Sequence, residues 1–175
     1  MYNKTKFKKI VLPVVFALIG AVIVNWAVLK LFGQKSAYRA THSLAGIILL
    51  IACSSVLDKR NDKLTAAGFF FLALIPCYFG TVFPDLDISL FGIGGHRNPL
   101  FHSSLSYFIL FFFVGRTNNS FLKTLIAGYG IGLASHLLWD IFDYGNVRWI
   151  PGRFADRLWL AVHGILCLIP MKLET

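Results

Sequence analysis

Three short segments concentrate the residues of this chain that could do chemistry: Pro84-Asp85-Leu86-Asp87, the run HRNPLFHS from His96 to Ser103, and SHLLWD from Ser135 to Asp140. Together they carry three acids and three histidines, the vocabulary of a divalent-metal site. His136 and Asp140 are four residues apart, so on a helix they project from one face about a turn apart. They could ligate together, or the Asp could orient the His from behind, and a simple hydrogen-bonded pair at a helix end has the same spacing. Pro84 cannot continue a helix comfortably, so Asp85 and Asp87 hang off a turn. There one carboxylate could ligate while the other bridges metals or acts as general base, or both could simply be solvated. In the glycine-rich stretch Gly92 to Ser104, His96 and His102 flank Arg97. Neutral imidazole is a common zinc ligand, and a guanidinium suits a phosphate or a developing oxyanion, whereas the competing reading is a flexible loop with two surface histidines.

Other polar residues are weaker candidates. His42, in THSLAG, is a lone helical histidine that could join as a ligand, and His163 has no acidic neighbour in sequence. Arg148 and Arg153, with Arg157, are candidates for binding an anionic headgroup. Trp139, Trp149 and Trp159 read as interface aromatics.

These groups must be held by apolar elements. The chain has 175 residues, 57% of them hydrophobic, and a mean hydropathy of +0.68. That composition points to an integral membrane protein of one domain, in which each ionisable group at bilayer depth costs roughly 2.5–3.5 kcal/mol and so tends to mark a functional site. The net charge of +9 is spread through short connections and lines no single face, so nucleic-acid binding is not expected. Cys53, Cys77 and Cys167 all fall in apolar runs and read as small hydrophobes.

Six apolar segments are expected to form an all-α, polytopic bundle, at about 10–32, 40–57, 64–83, 103–115, 121–142 and 157–171. The first follows Lys4, Lys6, Lys8 and Lys9 but exceeds the roughly 7–15 apolar residues of a signal peptide, so it is expected to stay as an N-terminal anchor, residues 1–32. The leading lysines favour a cytoplasmic N-terminus in an inner or plasma membrane. With that threading His42, Asp85, Asp87, His96, His102, His136 and Asp140 all fall at the non-cytoplasmic side.

Residues 40–153 resemble the LexA-regulated, inner-membrane-associated metal-dependent hydrolases. The resemblance rests on His42 with Gly46, Pro84-Asp85-Leu86-Asp87, His96-Arg97 through His102-Ser103, and Gly132 through Asp140 followed by Gly145 and Pro151. Between His96 and His102 the chain is one residue longer than the family pattern, with Phe101 where threonine is usual, and the helix at 10–32 precedes the point where the prototype begins. The resemblance implies kinship with zinc-dependent phospholipase C and single-strand-specific nucleases, and hence phosphoester hydrolysis.

The combined expectation is a membrane-embedded hydrolase that cleaves a phosphoester in a lipid or lipid-linked substrate with a metal-activated water. One or more Zn²⁺ ions would be held among His42, Asp85, Asp87, His96, His102, His136 and Asp140. Asp87 would act as base or bridging ligand, Arg97 would stabilise charge, and Arg148 and Arg153 would bind substrate. A non-enzymatic metal-binding membrane protein, whether transporter, sensor or scaffold, is the alternative. A transport pathway should place ionisable groups at mid-bilayer or on both faces, and these stack on one.

Overall fold

The computed structural model describes residues 34–57, 63–114, 116–142 and 146–169, with isolated positions at 23, 26, 27, 30 and 31. The remainder of the expected first helix and residues 170–171 of the expected last one lie outside the described residues. So does Gly145.

Among the described residues the chain is all helical, with no strand. Six helices follow one another: α1 Gln34–Leu57, α2 Lys63–Val82, α3 Leu86–Phe91, α4 Leu105–Val114, α5 Ser120–Asp140 and α6 Arg153–Leu166. A 3₁₀ turn, Ile93–Gly95, follows α3. Three of these differ from expectation: α1 begins at Gln34, six residues ahead of the expected segment at 40–57. The connection between α2 and α4 contains α3, too short to leave a periodic signature, and α6 begins at Arg153, so that both Arg153 and Arg157 are helical.

The central element is α5, buried almost continuously from Ile126 to Leu137 and packed against α1, α2, α4 and α6. Its start is capped by Asn119, whose side chain accepts from the Leu122 N–H at 3.2 Å. On one side Leu50, Ala73, Cys77 and Ile131 join α1, α2 and α5. On the other, Tyr107, Leu133, Leu137, Leu160 and Cys167 join α4, α5 and α6. Among the described residues, α5 alone is long and apolar enough to cross a membrane by itself; the apolar stretches of α1, α2 and α4 are shorter.

The contact of α5 with α2 is unusually close. A Cβ on Gly132 would lie 1.9 Å from the Cys77 carbonyl oxygen, and one on Gly128 would lie 2.4 Å from that of Ala73. Only glycine permits the two backbones to approach so far. This crossing sets the height at which the polar residues beyond it meet.

Candidate metal centre

Gly128, Gly132, His136 and Asp140 repeat every four residues along α5 and share a face. Opposite them α2 presents the carbonyls of Ala73, Cys77 and Thr81 at the same interval. The first two meet glycines. The third accepts a hydrogen bond from His136 Nδ1–H at 2.7 Å, which leaves His136 Nε2 as the free ring nitrogen. On α1, Gly46 is packed against Thr81 and Ser135, and His42 lies one turn away with its ring stacked on His136, centroids 4.1 Å apart.

Around Asp140 these side chains converge. His136 Nε2 and His102 Nε2 each lie 3.5 Å from Asp140 Oδ2, His42 Nε2 lies 3.7 Å from Oδ1, and Asp85 Oδ1 lies 3.9 Å from His136 Nε2. None of these four contacts satisfies a buried polar group in the ordinary way. Asp85 Oδ1, the Nε2 atoms of His102 and His136, and both oxygens of Asp140 are buried without a hydrogen bond. Leaving such an atom unsatisfied costs about 1–3 kcal/mol, so five in one place call for a common partner. A tetrahedral ion with bonds of about 2.0–2.2 Å holds its ligand atoms roughly 3.3–3.6 Å apart, close to the spacings found here. Buried His and Asp residues of this chain could therefore hold a metal ion. They form three overlapping groups: His42, His136 and Asp140; Asp85, His102 and His136; and Asp87, His96 and His102.

Asp87 differs from its neighbours in being satisfied. Its Oδ1 accepts from His96 Nδ1 at 3.0 Å, its Oδ2 accepts the Asn98 N–H at 3.0 Å, and Oδ2 also lies 3.3 Å from His102 Nδ1. Burial alone would push the Asp87 carboxyl up, but the imidazoles of His102 and His96 and the Asn98 amide outweigh it and bring the pKa down to about 2. For His102, burial opposes the charged form, yet the Asp140 and Asp87 carboxylates on its two sides more than offset that and raise its pKa. Asp87 is thus placed to orient imidazoles, with His102 turning Nε2 toward Asp140.

Local chain geometry explains the arrangement. Successive turn hydrogen bonds from Asp85 to Ile88 carry the chain from α2 into α3 and place Asp87 on its inner side. Asn98 then organises the loop, its Oδ1 accepting from Leu100 N at 2.9 Å and its carbonyl from His102 N at 2.8 Å. Arg97 is buried with φ +62, and its Nη2 lies 3.7 Å from Asp140 Oδ1. The backbone N–H of Arg148 donates to the Arg97 carbonyl at 2.6 Å, and the Arg148 guanidinium donates to the Gly94 carbonyl.

The seven residues expected as ligands are therefore neighbours, and Arg97 joins them. Arg148 is exposed beside the loop, and Arg153 is exposed at the start of α6. Sequence reasoning missed Thr81, Asn98 and a buttress from α6. In that buttress Trp159 Nε1–H donates to the His102 carbonyl at 2.8 Å, and His163 Nδ1 pairs with Ser104 Oγ at 2.8 Å. Carbonyl and amide partners of this kind leave no mark on residue type. The spacing of Gly128 and Gly132 with His136 and Asp140 was the readable signal for Thr81.

Comparison of the chain with protein-family models, with curated proteins and with solved structures gave no match.

Proposed function

We propose that this chain is a membrane-embedded, metal-dependent hydrolase that cleaves a phosphoester in a lipid or lipid-linked substrate. The observation that carries the reading is the set of buried nitrogen and oxygen atoms gathered around Asp140 without hydrogen bonds. His42, His136 and Asp140, with the overlapping group Asp85, His102 and His136, would hold one or more divalent ions, and their nitrogen and oxygen donors suit Zn²⁺. Charge agrees with one ion: Asp85, Asp87 and Asp140 against Arg97 leave a formal −2 (three negative, one positive) when the imidazoles are neutral.

When bound, such an ion supplies Lewis acidity and lowers the pKa of a water for attack at phosphorus. The chain's own residues do the rest. Arg97, held near Asp140, takes up charge on the transferring phosphoryl group. Asp87 fixes the His102 and His96 rings through their Nδ1 atoms. The resemblance of residues 40–153 to metal-dependent hydrolases supports the same chemistry.

Membrane embedding is supported by large outward apolar faces. Phe71, Ile75 and Phe79 of α2 and Phe112 and Phe113 of α4 are all exposed, more apolar surface than a water-soluble chain ordinarily presents. The N-terminal lysines support a cytoplasmic N-terminus with the metal centre on the opposite side.

Elemental analysis of the detergent-purified protein tests the reading first, with about one equivalent of zinc expected and almost none in Asp140→Asn. Turnover of a panel of lipid phosphoesters tests it second. Absence of stoichiometric metal from the wild type rules the proposal out. Bound metal with no turnover across the panel turns the reading to a non-enzymatic metal-binding membrane protein.

A further inference from the structure

Among the residues of the centre, solvent reaches two side chains appreciably, Asp85 at 21% and His96 at 17%, whereas those of His42, Asp87, Arg97, His102, His136 and Asp140 are exposed by 5% or less. Asp85 and His96 mark the mouth, and in the chain they bracket α3 and the 3₁₀ turn. Asp87 faces inward from that short segment. Leu86, Leu90, Phe91 and Ile93 face outward, with Ile93 exposed by 77%. Such side chains lose free energy when left in water, and here they stand directly beside a polar opening.

A cation is moored to the same turn. The Arg148 guanidinium donates to the Gly94 carbonyl, and Trp149, 74% exposed, has its ring 5.1 Å from the Arg148 Cζ. Of the acids at this end of the molecule, Asp87, Asp140 and Asp156 are buried, with Asp156 accepting the Val147 N–H, and Asp85 reaches solvent at the mouth. Against that one partly exposed acid, Arg148, Arg153 and Arg157 are exposed cations. An apolar shelf beside a cation and an exposed tryptophan matches the chemistry of an anionic headgroup joined to an apolar chain. A free phosphate would meet the arginine and leave the shelf in water.

We propose that Leu86, Leu90, Phe91 and Ile93 form a platform that holds an anionic phospholipid at the mouth of the metal centre, with its phosphate beside Arg148 and its chain along the apolar shelf. This rests on the hydrolase reading only for what happens to the lipid next. Holding the lipid requires no turnover.

The test uses the intact protein in lipid nanodiscs and reads Trp149 fluorescence as the difference between wild type and Trp149→Phe. Brominated phosphatidylglycerol should quench that difference signal several-fold more effectively than brominated phosphatidylcholine at equal mole fraction. Arg148→Gln should abolish the preference, and Leu90→Asp with Ile93→Asp should reduce quenching by both lipids. Equal quenching by the two lipids in the wild type overturns the proposal, as does quenching by aqueous iodide with none by bromolipid, which would mark a face open to water or to a protein partner. Loss of the preference on adding millimolar inorganic phosphate also overturns it, in favour of a soluble-anion site. Metal content measured on the same samples reports separately on the hydrolase reading: protein with no metal but an intact lipid preference keeps the platform and sinks the metallohydrolase.

Discussion

The two halves of the α2–α5 contact make opposite use of one four-residue register. In the lower half, the carbonyls of Ala73 and Cys77 meet Gly128 and Gly132, and the absence of side chains lets the backbones touch. In the upper half, the next carbonyl, that of Thr81, meets His136, whose Nδ1–H it captures at 2.7 Å. One turn further Asp140 stands among His42, His102 and Arg97. Close approach without polar side chains is therefore what sets the height and tautomer of the polar groups above it. The difference shows how a closely packed helix pair can carry a polar site: the glycines supply rigid placement, and the imidazole uses a carbonyl that helix geometry already presents.

Adding a methyl group at each glycine should break this relation most severely. Gly132→Ala puts a Cβ into the Cys77 carbonyl, one turn from His136, and neither contacting backbone has a flexible end that can yield. Forced overpacking of this kind costs typically about 1–3 kcal/mol, and more where backbone must move. Bound metal should fall with stability, measured by elemental analysis and by thermal unfolding in detergent. Gly128→Ala, with its Cβ 2.4 Å from the Ala73 carbonyl, should lower stability similarly while retaining more metal. Equal metal loss in the two variants would mean that the lower contact does not act through position.

Substitutions at two carboxylates should separate the atoms that face the cavity from those that orient them. Asp140→Asn keeps shape but removes the charge on which three imidazoles and Arg97 converge, so metal affinity should fall by more than about a hundredfold. Asp87→Asn removes an acceptor behind His102 and His96, and loss of such an orienting partner typically costs 10–100-fold in affinity. Competition with a calibrated chelator measures both. If Asp87→Asn is as damaging as Asp140→Asn, Asp87 belongs among the ligands. The raised pKa of His102 adds a pH dependence: its imidazolium persists above the ordinary histidine range, so a metal must displace that proton and affinity should strengthen as pH rises through it. The slope of chelator competition against pH should flatten in His102→Gln.

The residue types of the site were legible in the sequence, and their division of labour was not. His136 and Asp140 announce a shared face by spacing alone, and Pro84 correctly marks the end of α2. Whether Asp87 ligates or orients depends on a hydrogen bond from the Asn98 backbone, which no residue pattern encodes. The short α3 was hidden because six residues hold too little periodicity to distinguish them from a loop. The apolar pattern starts the last helix only at 157 and leaves Arg153 in a connection, although Gly152, with φ +87, turns the chain directly into α6 at that point. Gly128 and Gly132 were visible at the same interval as His136 and Asp140, but the interval acquires meaning only once α2 presents carbonyls at matching heights.

The smallest expected effect comes from the half-buried histidine that lies outside this register. His163 pairs through Nδ1 with Ser104 Oγ at 2.8 Å and packs its ring against Trp159, centroids 4.1 Å apart. Its placement resembles that of His136 in one respect, since a neighbouring element supplies a partner for one ring nitrogen. It differs in having no carboxylate within ion-pairing distance among the described residues. His163→Gln keeps a side chain able to hydrogen-bond Ser104 while removing the imidazole, so stability should drop by about 1 kcal/mol or less. Metal content should stay near that of the wild type. A loss of metal comparable to that of Asp87→Asn, with stability unchanged, would instead mean that α6 places His102 through Ser104 as firmly as Asp87 does through the ring itself.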